Sequence, residues 1–218
     1  MPVPDFYGHP FSSYSWKGQI AFYEKHVDFT WHVVEPGPVL DELKALWPLA
    51  KFPVLVDETG VYIESSIIIE HVDRLAPGHG RLIPADPKAA LQVRFMDRVF
   101  DNHVMDVMQQ VVSEYLRAPA DRDMTRIAPV HAALDTVYGW LDDNLPDADW
   151  ACGTDFTMAD CAAAPALFYA DWVHPIPDSL PRLKAYRARL LARPSVVRAV
   201  DGGRPYRPYF PPGAPDRD

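Results

Sequence analysis

Hydrophobic and polar positions divide the chain into two stretches of different rhythm. Up to about residue 78 the period alternates between strand-like and helical. "PDFYG" and "FTWHVVEP" read as short strands. Between them, "SSYSWKGQIAFYEKH" sets Trp16, Ile20, Ala21 and Tyr23 at helical spacing, with Ser13 or Ser15 as the cap. "VLDELKALW" predicts a short helix ended by Pro48, because the residue before a proline disfavours helical backbone. "PVLVDETGVYI" reads as two strands around an Asp-Glu-Thr-Gly turn, and "SSIIIEHVDRLAP" as a helix stopped by Pro77 and Gly78. The predicted order is βαβαββα.

After "GHGRLIPADP", rich in proline and glycine, only helical rhythm remains. Helices are expected over about Lys88–Leu116, Asp121–Leu145, Met158–Trp172 and Leu180–Ala192, and no periodicity in the tail "GGRPYRPYFPPGAPDRD". The division is therefore an α/β domain over residues 1–78, a linker over 79–87 and an all-helical domain over 88–218.

Composition narrows this picture. With 218 residues, 48% hydrophobic and 23% charged, the chain suits a soluble protein with real cores. A net charge of −9 argues against nucleic acid held through its phosphates. No apolar run approaches the roughly 20 residues of a membrane span, and "MPVPDFYGHP" lacks the features of a signal peptide. The two cysteines, Cys152 and Cys161, form no CxxC pair, so a cytoplasmic protein without a disulfide framework is expected. The eight histidines are scattered, and no metal site is expected.

The chemistry concentrates in "AKFPVLVDETGVYIESSIIIEHVDRLAP". Pro53 belongs at the start or edge of a strand, since it cannot donate to the ladder. A cis Phe52–Pro53 bond would leave the backbone of Val54 facing outward, ready to pair with an extended peptide; a trans proline would simply begin the strand. Ser65, at the N-cap or first position of the next helix, stands beside free N–H groups that suit a carboxylate. Glu64 beside it can accept an ammonium. Carboxylate and ammonium on one carbon make an α-amino acid, whereas the plain structural reading is a serine cap with a solvated glutamate. In "GTDFTMADCAAAPAL", Thr157 and Asp160 fit a capping box and Phe156 and Cys161 its hydrophobic staple, opening a helix apolar nearly all round. That segment reads as structure, with Cys161 a core residue.

In these two segments, and in its βαβαββα-plus-helical order, nearly the whole chain resembles the glutathione transferase superfamily. "KFPVLVDETGVYIESSIIIEHVDRL" looks like its cis-proline strand, hairpin and Glu-Ser helix start. "HPFSSYSWKGQI" is similar to the serine motif of zeta- and theta-like transferases, of the kind found in bacteria. The resemblance implies a thioredoxin-like N-terminal domain, a helical domain carrying an electrophile pocket, a homodimer, and a detoxifying enzyme that uses glutathione as co-substrate.

Residue by residue, it implies that Glu64 and Ser65 hold the γ-glutamyl end. The Val54 backbone, beside Phe52 and Pro53, would pair with the cysteinyl part, and Lys51 would face the glycyl carboxylate. Ser12 would donate to the thiolate, with Ser13 and the helix N-terminus beside it; both stabilise S⁻. A small hydrophobic electrophile would sit against Phe11, Tyr14, Val104 and Met108. Tyr7 and Tyr14 are alternative donors. Tyr14 stands where maleylacetoacetate isomerases of the zeta class have cysteine, which weakens a glutathione-dependent isomerase. The absence of cysteine from the first 151 residues argues against thioltransfer. A non-catalytic, regulatory glutathione-binding protein is the remaining alternative.

Overall fold

A computed structural model describes residues 2–218. Its first part builds one sheet from β1 (Asp5–Gly8), β2 (Thr30–Val33), β3 (Val54–Asp57) and β4 (Gly60–Ile63), in the order β2-β1-β3-β4. β1 runs parallel to β2, which requires a crossover, supplied by α1 (Ser13–Glu24). β3 lies antiparallel to β1 and forms a hairpin with β4. Helices α1 and α3 (Ser65–Leu75) cover one face, where Phe6, Phe22, Leu55, Ile68 and Val72 form a closed core. Helix α2 (Pro38–Leu46) covers the other through Leu43, packed with Val34 and Val54. This is the thioredoxin-like arrangement expected.

The second part is helical: α4 (Pro87–Val99), α5 (Asp106–Leu116), α6 (Ile127–Asn144), α7 (Met158–Val173), α8 (Pro181–Ala192) and α9 (Pro194–Gly203), closed by a 3₁₀ turn over Arg204–Tyr209. Helix α7 runs through its centre, buried from Met158 to Trp172. Its capping box is complete, and Cys161 is buried in the core.

Three local expectations are corrected. First, α4 and α5 do not form one regular helix, since a π-helical segment at Phe100–Met105 joins them. Second, the helix expected from about Asp121 begins only at Ile127, after two short 3₁₀ turns. Third, α9 was not expected, although Val196, Ala199, Val200 and Gly203 are buried at helical spacing. Pro194 ends α8 and opens α9, because proline is tolerated in a helix's first turn.

The halves meet along α1, which packs on α3, α7 and α9. Trp16 is buried there, with its ring 5.0 Å from that of Phe168. Gly203 of α9 must lack a side chain, because a Cβ there would stand 2.4 Å from the Trp16 ring and 3.0 Å from the Pro10 carbonyl. Beside this contact, buried Lys17 bridges the halves. Its Nζ lies 2.6 Å from Asp97, 2.7 Å from Asp101 and 2.8 Å from Ser66 Oγ. Breaking such a buried pair is far more costly than breaking a surface one, since it strands a desolvated charge. The network therefore fixes how α3 and α4 face each other.

Candidate active site

The loop from β1 to α1 builds the first wall. Ser12 is the N-cap of α1, with extended backbone, and its Oγ accepts the Ser15 N–H at 3.3 Å. The cap is thus neither Ser13, which is the first helical residue, nor Ser15, which is buried and accepts the His9 N–H at 3.1 Å. Accepting one bond leaves the Ser12 hydroxyl proton free to donate. The first turn of α1 contains no acidic residue to offset its positive end.

The second wall comes from the hairpin. The Phe52–Pro53 bond is cis. Phe52 precedes β3, and among the described residues its main-chain N–H and C=O make no hydrogen bond within the protein. Val54 does not present an outward backbone. It is completely buried, with Tyr7 as its register partner on one side and Ile63 on the other. A strand with neighbours on both edges has no edge to offer, so the open main chain is that of Phe52.

Glu64 occupies the N-cap position of α3 with φ 71° and ψ 123°, a conformation that side chains rarely adopt, and its side chain makes no capping bond. Ser65, the first helical residue, is buried, and no acidic residue lies in that first turn. The free N–H groups of α3 therefore open onto a cleft.

Two contiguous clefts result. The narrower, of about 240 Å³, is lined by Phe52, Pro53, Glu64, Ser65, Arg98, Asp101 and Asn102 among others. The wider, of about 570 Å³, is lined by His9, Phe11, Ser12, Ser13, Met108, Gln109, Val112, Tyr169 and Phe210 among others. Tyr14, Lys51, Phe52 and Asp106 line both. Lys51 is exposed and, among the described residues, forms no ion pair.

Val104, expected in the electrophile pocket, is not there; it is wholly buried in the helical core. The π-helical segment explains this. Val104 lies within the segment Phe100–Met105, where the wider turn breaks the regular helical count of faces, and the apolar residues after it that line the cleft are Met108 and Val112.

The tyrosines separate clearly. Tyr14 donates its phenol to Asp106 Oδ1 at 2.7 Å, and burial together with this bond holds its pKa well above the usual range. Tyr7 stacks on His32, 4.5 Å between ring centres, and packs with the α2 side of the sheet. Neither has a proton poised for a ligand in the clefts. Sequence reasoning missed His9 and Asp106. His9 adjoins the serine motif in sequence, but Asp106 carries no sequence signal because its partner is Tyr14.

Among the described residues, no three His, Cys, Asp or Glu side chains are grouped as metal ligands, and no helix is long and apolar enough to cross a membrane. Burial pushes the Cys152 thiol up to about 12 and Cys161 well above its ordinary value, which disfavours the thiolate at both.

Comparison with known proteins follows this geometry. Residues 6–80 match the family model for the glutathione S-transferase N-terminal domain, and residues 111–189 that for the C-terminal domain. A stringent starvation protein A homolog of Coxiella burnetii is 27% identical, the alignment covering 90% of this chain and 95% of that protein. Glutathione S-transferase APIC of Nicotiana tabacum is 24% identical over 89% of this chain and 96% of that protein. Among solved structures, a glutathione S-transferase of Methylobacterium radiotolerans in complex with glutathione sulfonate superposes with a TM-score of 0.76 at 28% identity, covering 91% of this chain and 94% of that one. The chain belongs to the glutathione S-transferase superfamily.

Proposed function

We infer that the protein is a glutathione transferase of the serine type, which activates the glutathione thiol for attack on small hydrophobic electrophiles. The observation that carries this reading is the continuity of the two clefts, with unspent hydrogen-bonding groups along them. The γ-glutamyl carboxylate meets Ser65 and the open start of α3, and its ammonium meets Glu64. The cysteinyl unit pairs with the Phe52 main chain, and the glycyl carboxylate faces Lys51. The sulfur then comes to the Ser12 hydroxyl, with Ser13 and the positive end of α1 beside it. The electrophile occupies the wider cleft against Phe11, Tyr14, Met108 and Val112.

The chemistry asked of this site is modest. A cysteine-type thiol with pKa about 8.5 is only about 3% thiolate at pH 7. Lowering it by about two units raises the thiolate to about three quarters, which takes about 2.7 kcal/mol. A hydroxyl donor to a charged sulfur supplies about half or more of this, and the helix end adds to it.

The Asp106 carboxylate, which lines both clefts, disfavours a dianionic maleyl substrate and supports conjugation over maleyl isomerisation. A non-catalytic glutathione-binding protein is the second reading. It is favoured by the full-length similarity to a protein named for stringent starvation rather than for a transfer reaction. We place the enzyme in the cytoplasm and as a homodimer, in which case sedimentation exceeds the 24.6 kDa of one chain.

The deciding experiment combines capture on immobilised glutathione with turnover of aryl halides, epoxides, organic peroxides and maleyl compounds. Capture with conjugation of the first two classes is expected. Capture without turnover establishes the second reading, and failure of capture overturns both.

A further inference from the structure

His9 holds together the turn that presents Ser12. Its N–H donates to Ser15 Oγ at 3.1 Å, and its C=O accepts the Ser12 N–H at 3.0 Å. Its ring Nδ1 accepts the Phe11 N–H at 3.1 Å. Two further contacts hold the turn: from the helical part, Tyr169 Oη donates to the Phe11 C=O at 2.9 Å, and from α1, Trp16 Nε1 donates to the Pro10 C=O at 2.5 Å. The ring itself lines the wider cleft, with the edge-on Tyr206 ring 4.7 Å away and Phe52 at 6.5 Å.

An imidazole can accept at Nδ1 only while neutral, with its proton on Nε2. Protonating the ring puts a second N–H opposite that of Phe11, and the bond is lost. We propose that His9 is a positioning residue that orients Ser12 toward its ligand through the Phe11 N–H bond, and that this function requires the neutral ring.

The surroundings favour the neutral ring. Burial lowers the His9 pKa, and the Glu35 carboxylate acts against this without reversing it. The other titratable groups about the ring are the Tyr206 phenol and, lining the same cleft, Lys51, Tyr14, Tyr169 and Asp106, the last of which is engaged by the Tyr14 hydroxyl. The sign follows: with its folded pKa below the ordinary value of about 6.5, His9 is neutral at pH 7, and the turn weakens as pH falls below that value. Asparagine offers a carbonyl oxygen near the position of Nδ1 and does not titrate. Phenylalanine fills the same space and accepts nothing.

The test has a readout that needs no turnover, so it stands even if the transferase reading, on which this proposal rests for its ligand, fails. In the ¹⁵N-labelled protein, His9 should show the Nε2–H tautomer, and the amide resonances of Phe11 and Ser12 should shift with the same midpoint as its ring. In His9→Asn that transition should vanish from both amides. Amides that ignore the ring, or that keep the transition in His9→Asn, overturn the proposal. In the conjugation assay at pH 8, His9→Phe should lower kcat by about tenfold, the effect of one orphaned donor, while KM for glutathione stays within about twofold. His9→Asn should recover most of that kcat and lose one proton from the acid limb of the wild-type profile. Equal losses in His9→Asn and His9→Phe, or a loss confined to KM, also overturn it.

Discussion

Helices α3 and α7 start from similar sequence signals and end up with opposite uses for their first turns. At α7, Thr157 and Asp160 close the capping box, and Asp160 also accepts the Ala151 N–H at 2.9 Å and the Tyr186 hydroxyl at 2.6 Å. Thr157, Asp160, Ala151 and Tyr186 are all buried and bonded to one another. At α3, Glu64 sits in the cap position without capping, the first turn carries no acid, and the N–H groups face a cleft. A polar residue before an apolar helix therefore does not by itself distinguish structure from function. The distinction lies in whether the helix's own side chains satisfy its first donors.

This comparison can be broken by mutation, and the largest effect belongs to the closed helix. Asp160→Ala removes the acceptor for two buried backbone N–H groups and the Tyr186 hydroxyl. Urea unfolding should show a loss of about 3 kcal/mol or more, since each orphaned buried donor costs about 1–3 kcal/mol. Glutathione affinity of the folded fraction should be unchanged. A stable variant with impaired binding would reverse the roles assigned to the two helices.

Ser65→Ala is the counterpart at the open helix. Binding of glutathione, followed by calorimetry, should weaken by about 1–2 kcal/mol, the scale of a hydrogen bond to a charged group. Stability should move by about 1 kcal/mol or less, since Ser65, although buried, makes no capping bond. Unchanged affinity would remove Ser65 from the site.

The smallest effect has the opposite sign. Glycine tolerates the Glu64 conformation, φ 71°, without the cost borne by a side chain. Glu64→Gly should therefore stabilise the protein by about 1 kcal/mol or less while weakening glutathione binding through loss of the ammonium partner. A variant destabilised by more than about 1 kcal/mol would show that Glu64 supports the fold rather than the ligand.

The sequence made some of this readable and hid the rest for identifiable reasons. The capping box at Thr157 depends on residues three apart, so it is visible locally, as is the succession of strands and helices up to α3. The cap of α1 is ambiguous in the sequence because "SSYS" offers three serines in one turn, and only the backbone shows that Ser12, rather than Ser13 or Ser15, is the extended one. The open backbone belongs to Phe52 rather than to Val54, because which residue of "KFPVL" enters the ladder depends on pairing with β1 and β4. Val104 misses the pocket that helical spacing predicts for it because a π-helical segment breaks the period by which faces are counted. Tyr14–Asp106 joins positions far apart in the chain and leaves no local trace.

The central claim is that Ser12, and no tyrosine, stabilises the thiolate. Ultraviolet titration of the glutathione thiol bound to wild type, Ser12→Ala and Tyr14→Phe tests it directly. Ser12→Ala should raise the thiol pKa by about one unit or more and slow conjugation at pH 7 by roughly tenfold. Tyr14→Phe should change it much less, because the Tyr14 proton is already given to Asp106. A pKa that moves in Tyr14→Phe and stays fixed in Ser12→Ala would make the tyrosine the donor and contradict the account.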